Sequence, residues 1–154
     1  MNSEKEAQRL FNNRLMQTDE EITSFEEAMN LLYEVEDIEN IKYFCKAFDD
    51  NTHEPPVMFS LVHGIENYDN IFGKETATSK FLDSIHYMQP SAPEWLETMI
   101  LRNLNHDPSR EVLIEQLKDK NTETKNIVKE VISKLIQRKP EKFEQTGSEV
   151  LANI

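Results

Sequence analysis

Glycine is scarce in this chain, cysteine is nearly absent and long apolar runs are missing, and each shortage removes a class of answer. Three glycines in 154 residues, with few stretches that alternate apolar and polar residues, argue against a sheet protein and for an all-helical one. The lone Cys45 excludes a disulfide framework and a thiolate metal cluster within the chain, and its neighbours Ile41 and Phe44 point to a buried, inert thiol. No run approaches the roughly 18 apolar residues that span a bilayer. The opening MNSEKEAQRLF has neither the basic nor the apolar region of a secretory leader, so a cytoplasmic protein without membrane contact is expected. There is no P-loop, GxGxxG, GxSxG or HExxH pattern. The expectation is therefore a non-enzyme: no catalytic residue, no cofactor, no metal and no small-molecule substrate.

What the chain has in excess is acid. Seventeen basic against 29 acidic residues give a net charge of −12, unevenly spread: −9 over residues 1–60 (5 basic, 14 acidic), −4 over 61–120 (6 and 10) and +1 over 121–154 (6 and 5). An acid-rich surface repels nucleic acid and anionic membrane and favours a cationic partner such as a basic protein domain. The alternative is that the charge serves only solubility. The lysines of the last third alternate with glutamates, which makes them a solvated face rather than a nucleic-acid site.

Apolar residues recur at three- and four-residue spacing along most of the chain, which predicts about eight short helices. Ser3 with Glu6 caps a first; Thr18–Ile22 is an acidic link; Thr23 with Glu26, or Ser24 with Glu27, caps a second, which ends near Glu36. Asp37 caps a third, broken by the polar loop DDNTHEPP, and Pro55-Pro56 opens a fourth through about Asn67. On that helix Ser60 and Gly64 leave a smooth strip against which another helix could pack. A fifth stops before Gln89-Pro90. The sixth, SAPEWLETMILRNLNHD, carries the only tryptophan, with Ser91 and Glu94 as a capping box and Trp95 as a core anchor. Asp107 caps a seventh, and Asn121 or Thr122 an eighth ending at Lys139-Pro140. The tail 141–154 has weak periodicity and is expected to be loosely held. Stacked antiparallel hairpins in a single domain, 1–154, would give a HEAT-like α-solenoid or an irregular helical bundle.

Polar residues on apolar arcs mark the next candidates. Glu66 sits half inside the apolar face of the fourth helix with His63 one turn away, while Asn103 and Arg102 interrupt that of the sixth. Each needs a partner once desolvated, so His63, Glu66, Arg102 and Asn103 are expected to form a polar network in which Glu66 pairs with Arg102. His63 and Glu66 resemble half of a carboxylate-bridged metal site, but no second pair from another helix is present to complete it. The acids available to a cationic partner are Glu34, Glu36, Asp37, Asp49, Asp50 and Glu54.

Two segments, MFSLVHGIENYD at 58–69 and APEWLETMILRNLNHDPSRE at 92–111, resemble the all-helical immunity protein 30 family of bacterial polymorphic-toxin systems. The resemblance extends over roughly residues 25–120 and picks out His63, Glu66, Pro93, Trp95, Arg102, Asn103 and Leu104; the first twenty residues and the tail after Pro140 lie outside it. It implies a small antitoxin that binds a cognate toxin domain, often a nuclease, and blocks its active or substrate-binding surface. Core-face residues cannot be the first that a partner meets, so the family-like positions are expected to be scaffold and the acids to be the contact surface. The rival reading is an α-solenoid adaptor or regulatory module with an unrelated partner.

Overall fold

The computed structural model describes residues 2–154, and among them it contains nine α-helices, one 3-10 turn and no strand. The helices are α1 (Ser3–Asn12), α2 (Asp19–Val35), α3 (Asn40–Ala47), α4 (Pro55–Phe72), α5 (Lys74–Ser84), α6 (Pro93–Leu104), α7 (Asp107–Leu117), α8 (Thr122–Arg138) and α9 (Pro140–Leu151), with the 3-10 turn at Ile85–Met88 between α5 and α6. Every helix buries apolar side chains in the same cluster: Leu10, Phe25, Phe44, Leu61, Leu82, Ile100, Leu113, Ile132 and Val150, one from each, are fully inaccessible. Each such side chain stabilises by roughly 1.5–3 kcal/mol relative to exposure.

The helices stack in two layers. In one, α1 packs on α3, α3 on α5, α5 on α7 and α7 on α9; in the other, α2 packs on α4 and α6 on α8. Between layers, α1 packs on α2, α4 on α5, α6 on α7 and α8 on α9. The links are short. Gly73 alone joins α4 to α5, with φ of 92°, a conformation that costs glycine nothing. Arg110 binds the second half together, donating to the Leu104 carbonyl at the end of α6, to Asp107 in the first turn of α7 and to Glu149 on α9.

Several helix starts lie elsewhere than local spacing predicts. Asn2, not Ser3, caps α1. Thr18–Ile22 is not a link but the beginning of α2: Thr18 Oγ1 accepts from the Glu21 amide at 3.1 Å and the Glu21 carboxylate accepts from the Thr18 amide at 3.2 Å, a capping box upstream of those expected. His106 rather than Asp107 caps α7. The tail is a correction of greater weight, because α9 buries Phe143, Gly147 and Val150. A Cβ on Gly147 would lie 2.9 Å from side-chain atoms of Ile132 and Ile136. Close approach to α8, which glycine permits, gives this weakly periodic segment its place.

Candidate interaction surface

Helix α2, DEEITSFEEAMNLLYEV, has six carboxylates and no basic residue. Phe25, Ala28, Met29 and Leu32 face the core, so Asp19, Thr23, Glu26, Glu27, Asn30 and Glu34 fall on the solvent side. Glu21 serves the capping box and Glu27 pairs with Arg9. Asp19, Glu20, Glu26, Glu34, Glu36 and Asp37 have no ion-pair partner among the described residues. The last three crowd the C-terminus of α2, where the helix dipole already places negative charge and costs a carboxylate such as Glu34 or Glu36 roughly 0.3–1 kcal/mol. Glu36 also adopts a left-handed conformation, φ 49° and ψ 46°, where glycine or asparagine is the usual occupant. Backbone and charge preferences are thus both set aside at one exposed tip.

Of the six acids expected to meet a partner, the structure separates three from the rest. Glu34, Glu36 and Asp37 are exposed, although Asp37 also accepts from the Glu39 amide at 2.9 Å. Asp49 is buried, accepting from Arg14 Nε at 3.0 Å and from the Asn51 amide at 2.8 Å. Asp50 accepts from the Glu94 and Trp95 amides at 2.9 and 3.2 Å, which makes it the cap of α6 in place of Ser91. Glu54 is half-buried at the N-cap position of α4 and makes no side-chain cap bond. The loop after α3 is therefore stitched to α6, not presented as a free acidic surface: the free N–H groups at a helix start attract the carboxylates that packing brings to them.

Beside the α2 tip, the Tyr33 ring lies across α4 at Gly64, where a Cβ would collide with its hydroxyl. The strip of small residues on α4 thus receives a side chain rather than a helix backbone. Tyr33 donates to the Ser60 carbonyl at 2.9 Å and meets Phe44 edge-on at 5.0 Å. Buried Asn40 donates both to the Leu32 carbonyl, at 2.7 Å, and to the Tyr68 hydroxyl, at 2.9 Å. Burial pushes the Tyr68 phenol up, with smaller contributions from the carboxylates of Asp37 and Glu36.

Glu66 and Arg102 meet across α4 and α6, with two N–H···O bonds of 2.8 Å in the parallel arrangement of guanidinium and carboxylate. Both side chains keep 37% exposure, so the pair lies at a rim and not in the core. It stands beside a cleft of about 470 Å³. His63 reaches Glu66 only at 4.0 Å and is mostly exposed. Asn103 bonds neighbouring backbone, its amide donating to the Met99 carbonyl one turn back in α6, and makes no bond to Glu66 or Arg102. Trp95 is only partly buried and packs against the core cluster from its edge. It packs on Phe48 and Phe59, and its indole N–H donates to the Asp49 carbonyl at 3.2 Å. Phe59 joins these parts, touching Trp95, His63 and the Arg102 guanidinium. Across the same cleft Lys74 donates to Asp69 and to Ser109, while burial pushes the Asp69 carboxyl up against the opposing pull of Lys74. Its charges are mutually paired, which suits a structural seam. Among the described residues no three His, Cys, Asp or Glu side chains cluster as metal ligands, and burial pushes the Cys45 thiol up, away from the nucleophilic thiolate. No helix of the described residues is long and apolar enough to cross a membrane.

A family model described as Immunity protein 30 matches residues 12–113. The match takes in α2 through α6 and the first part of α7, including both segments at 58–69 and 92–111, and leaves out α8 and α9. No curated protein and no solved structure matches the chain.

Proposed function

The chain belongs to the immunity protein 30 family, and on that footing we propose that it neutralises a cognate toxin domain of a bacterial polymorphic-toxin system by binding it through the acidic face of α2 and the turn that follows. The observation that carries this reading is the set of unpaired carboxylates at the C-terminus of α2. Glu34 and Glu36 stand where the helix dipole disfavours them, Asp37 adds a third exposed carboxylate beside them, and residues that work against stability on a surface are best explained by a partner. A basic, nuclease-type toxin supplies the complementary charge, since a domain that grips phosphate needs cationic surface. Inhibition is then occupation of that surface, with no chemistry required of the inhibitor.

The test is the association rate with the toxin domain encoded beside the gene. Steering between opposite charges is screened over a Debye length of about 8–10 Å, so the on-rate should drop several-fold between low and physiological salt. Reversing Glu26, Glu34, Glu36 and Asp37 to lysine should remove both the speed and the salt dependence. An unchanged on-rate would mean that the acidic face is only solvated. A gene without a toxin neighbour would favour the adaptor reading.

A further inference from the structure

We propose that the groove between the C-terminal turn of α2 and the outer face of α4 is a docking site for an arginine-bearing segment of the partner toxin. The inference rests on the immunity reading above and assigns that reading its point of tightest contact. The groove has a volume of about 360 Å³, and its lining includes Tyr33, Gly64, Tyr68 and Ile71 together with the acidic Glu36 and the amide of Asn67. Two of the large apolar side chains the fold leaves open belong to this corner: Ile71 at 36% exposure, and Val35, next to Glu36, at 41%. Apolar surface bordered by an unpaired carboxylate, here Glu36, suits an interface centre, in which a few anchors carry most of the affinity.

Its shape is fixed before any partner arrives. Gly64 lets the Tyr33 ring lie against the α4 backbone, and the bond from the Tyr33 hydroxyl to the Ser60 carbonyl holds it there. Tyr68 is held by Asn40, which also holds the end of α2 through the Leu32 carbonyl. A preformed groove loses little conformational entropy on binding.

The charge selects the occupant. Glu34, Glu36, Asp37 and the negative end of α2 repel an anionic segment. A neutral apolar one would cover the carboxylates without satisfying them, at a desolvation cost. Arginine meets both demands, because its planar guanidinium stacks on tyrosine and pairs with carboxylate in one geometry, while its methylenes cover Ile71.

The experiment measures binding kinetics of the full chain to the toxin domain encoded beside the gene, with circular dichroism as a fold check. Ile71→Lys places a cation in the groove and Asn67→Trp fills it; both positions are exposed on α4, so the fold should be retained. Each is expected to weaken binding by about 30-fold or more, mainly through faster dissociation. One toxin arginine, replaced by alanine, should cause a comparable loss that does not add to that of Ile71→Lys. Glu20→Lys with Glu26→Lys, away from the groove, should slow association alone. If the groove variants dissociate like the native chain while those charge reversals still slow association, the groove is not the docking site and the immunity reading stands. Losses that add to that of every toxin arginine would also overturn the proposal. If the native chain forms no complex, both readings fall.

Discussion

Glu34, Glu36 and Asp37 stand on one side of the short helix α3, Asp49 and Asp50 on the other, and similar acidic sequence is used in opposite ways on the two sides. Asp49 and Asp50 meet a guanidinium, backbone amides and the start of α6; the first three meet a helix C-terminus and solvent, with one local amide at Asp37. One group closes the structure, and the other faces solvent. Net charge does not separate them, since both belong to the acidic third of the chain. What separates them is whether packing delivers donors.

Mutations can break this contrast, and the largest effect should come from the buried carboxylate. Asp49→Ala strands Arg14 and the Asn51 amide and should cost about 3 kcal/mol in denaturant unfolding, near the lower bound for breaking a buried pair. A loss below about 1 kcal/mol would put Asp49 back among the surface acids. Gly64→Ala comes next: the new methyl must displace Tyr33, at a cost of about 1–3 kcal/mol. Its companion Tyr33→Phe should lose about 1 kcal/mol by freeing the Ser60 carbonyl. A Gly64→Ala protein with an unchanged thermal midpoint would show the ring to be mobile. Asp50→Ala removes the cap of α6 supplied from the distant loop, and about 1 kcal/mol is expected from thermal unfolding.

The Glu66–Arg102 pair sharpens the comparison from the other side. A buried pair would cost about 3–5 kcal/mol when broken. At 37% exposure for both side chains the rim regime applies, and Glu66→Ala or Arg102→Ala should each lose under about 1 kcal/mol, with measurable coupling in a double-mutant cycle. The smallest effect has the opposite sign. Glu34→Lys reverses an unfavourable dipole interaction and Glu36→Gly relieves the left-handed backbone, so each should stabilise the free protein by about 0.5 kcal/mol while weakening its complex. Destabilisation by both would mean that the α2 tip is structural after all.

Much of the fold was legible because helices are written locally. Apolar residues at three- and four-residue spacing gave the cores of α1 to α8, the Pro55-Pro56 start of α4 and the Asn121 cap of α8. Where local signals competed they misled: Thr18 caps α2 although Thr23 and Ser24 offer similar spacing, and α9 was hidden because its fit to α8 depends on what Gly147 omits. The pairing of Glu66 with Arg102 could be inferred because each was a charge on an apolar arc with an unmet need.

An all-helical fold, an excess of acid over the first 60 residues, the lack of a disulfide framework and a family pattern over α4 and α6 can all be read from the order of the residues. Which acids are free depends on packing between distant helices. Asp49 and Asp50 are satisfied by residues 35, 44 and 45 positions away, and Tyr33 finds its carbonyl 27 positions on. Spacing of three or four residues fixes which side chains share a helix face, but which donors a carboxylate meets across such distances is fixed by how the helices stack.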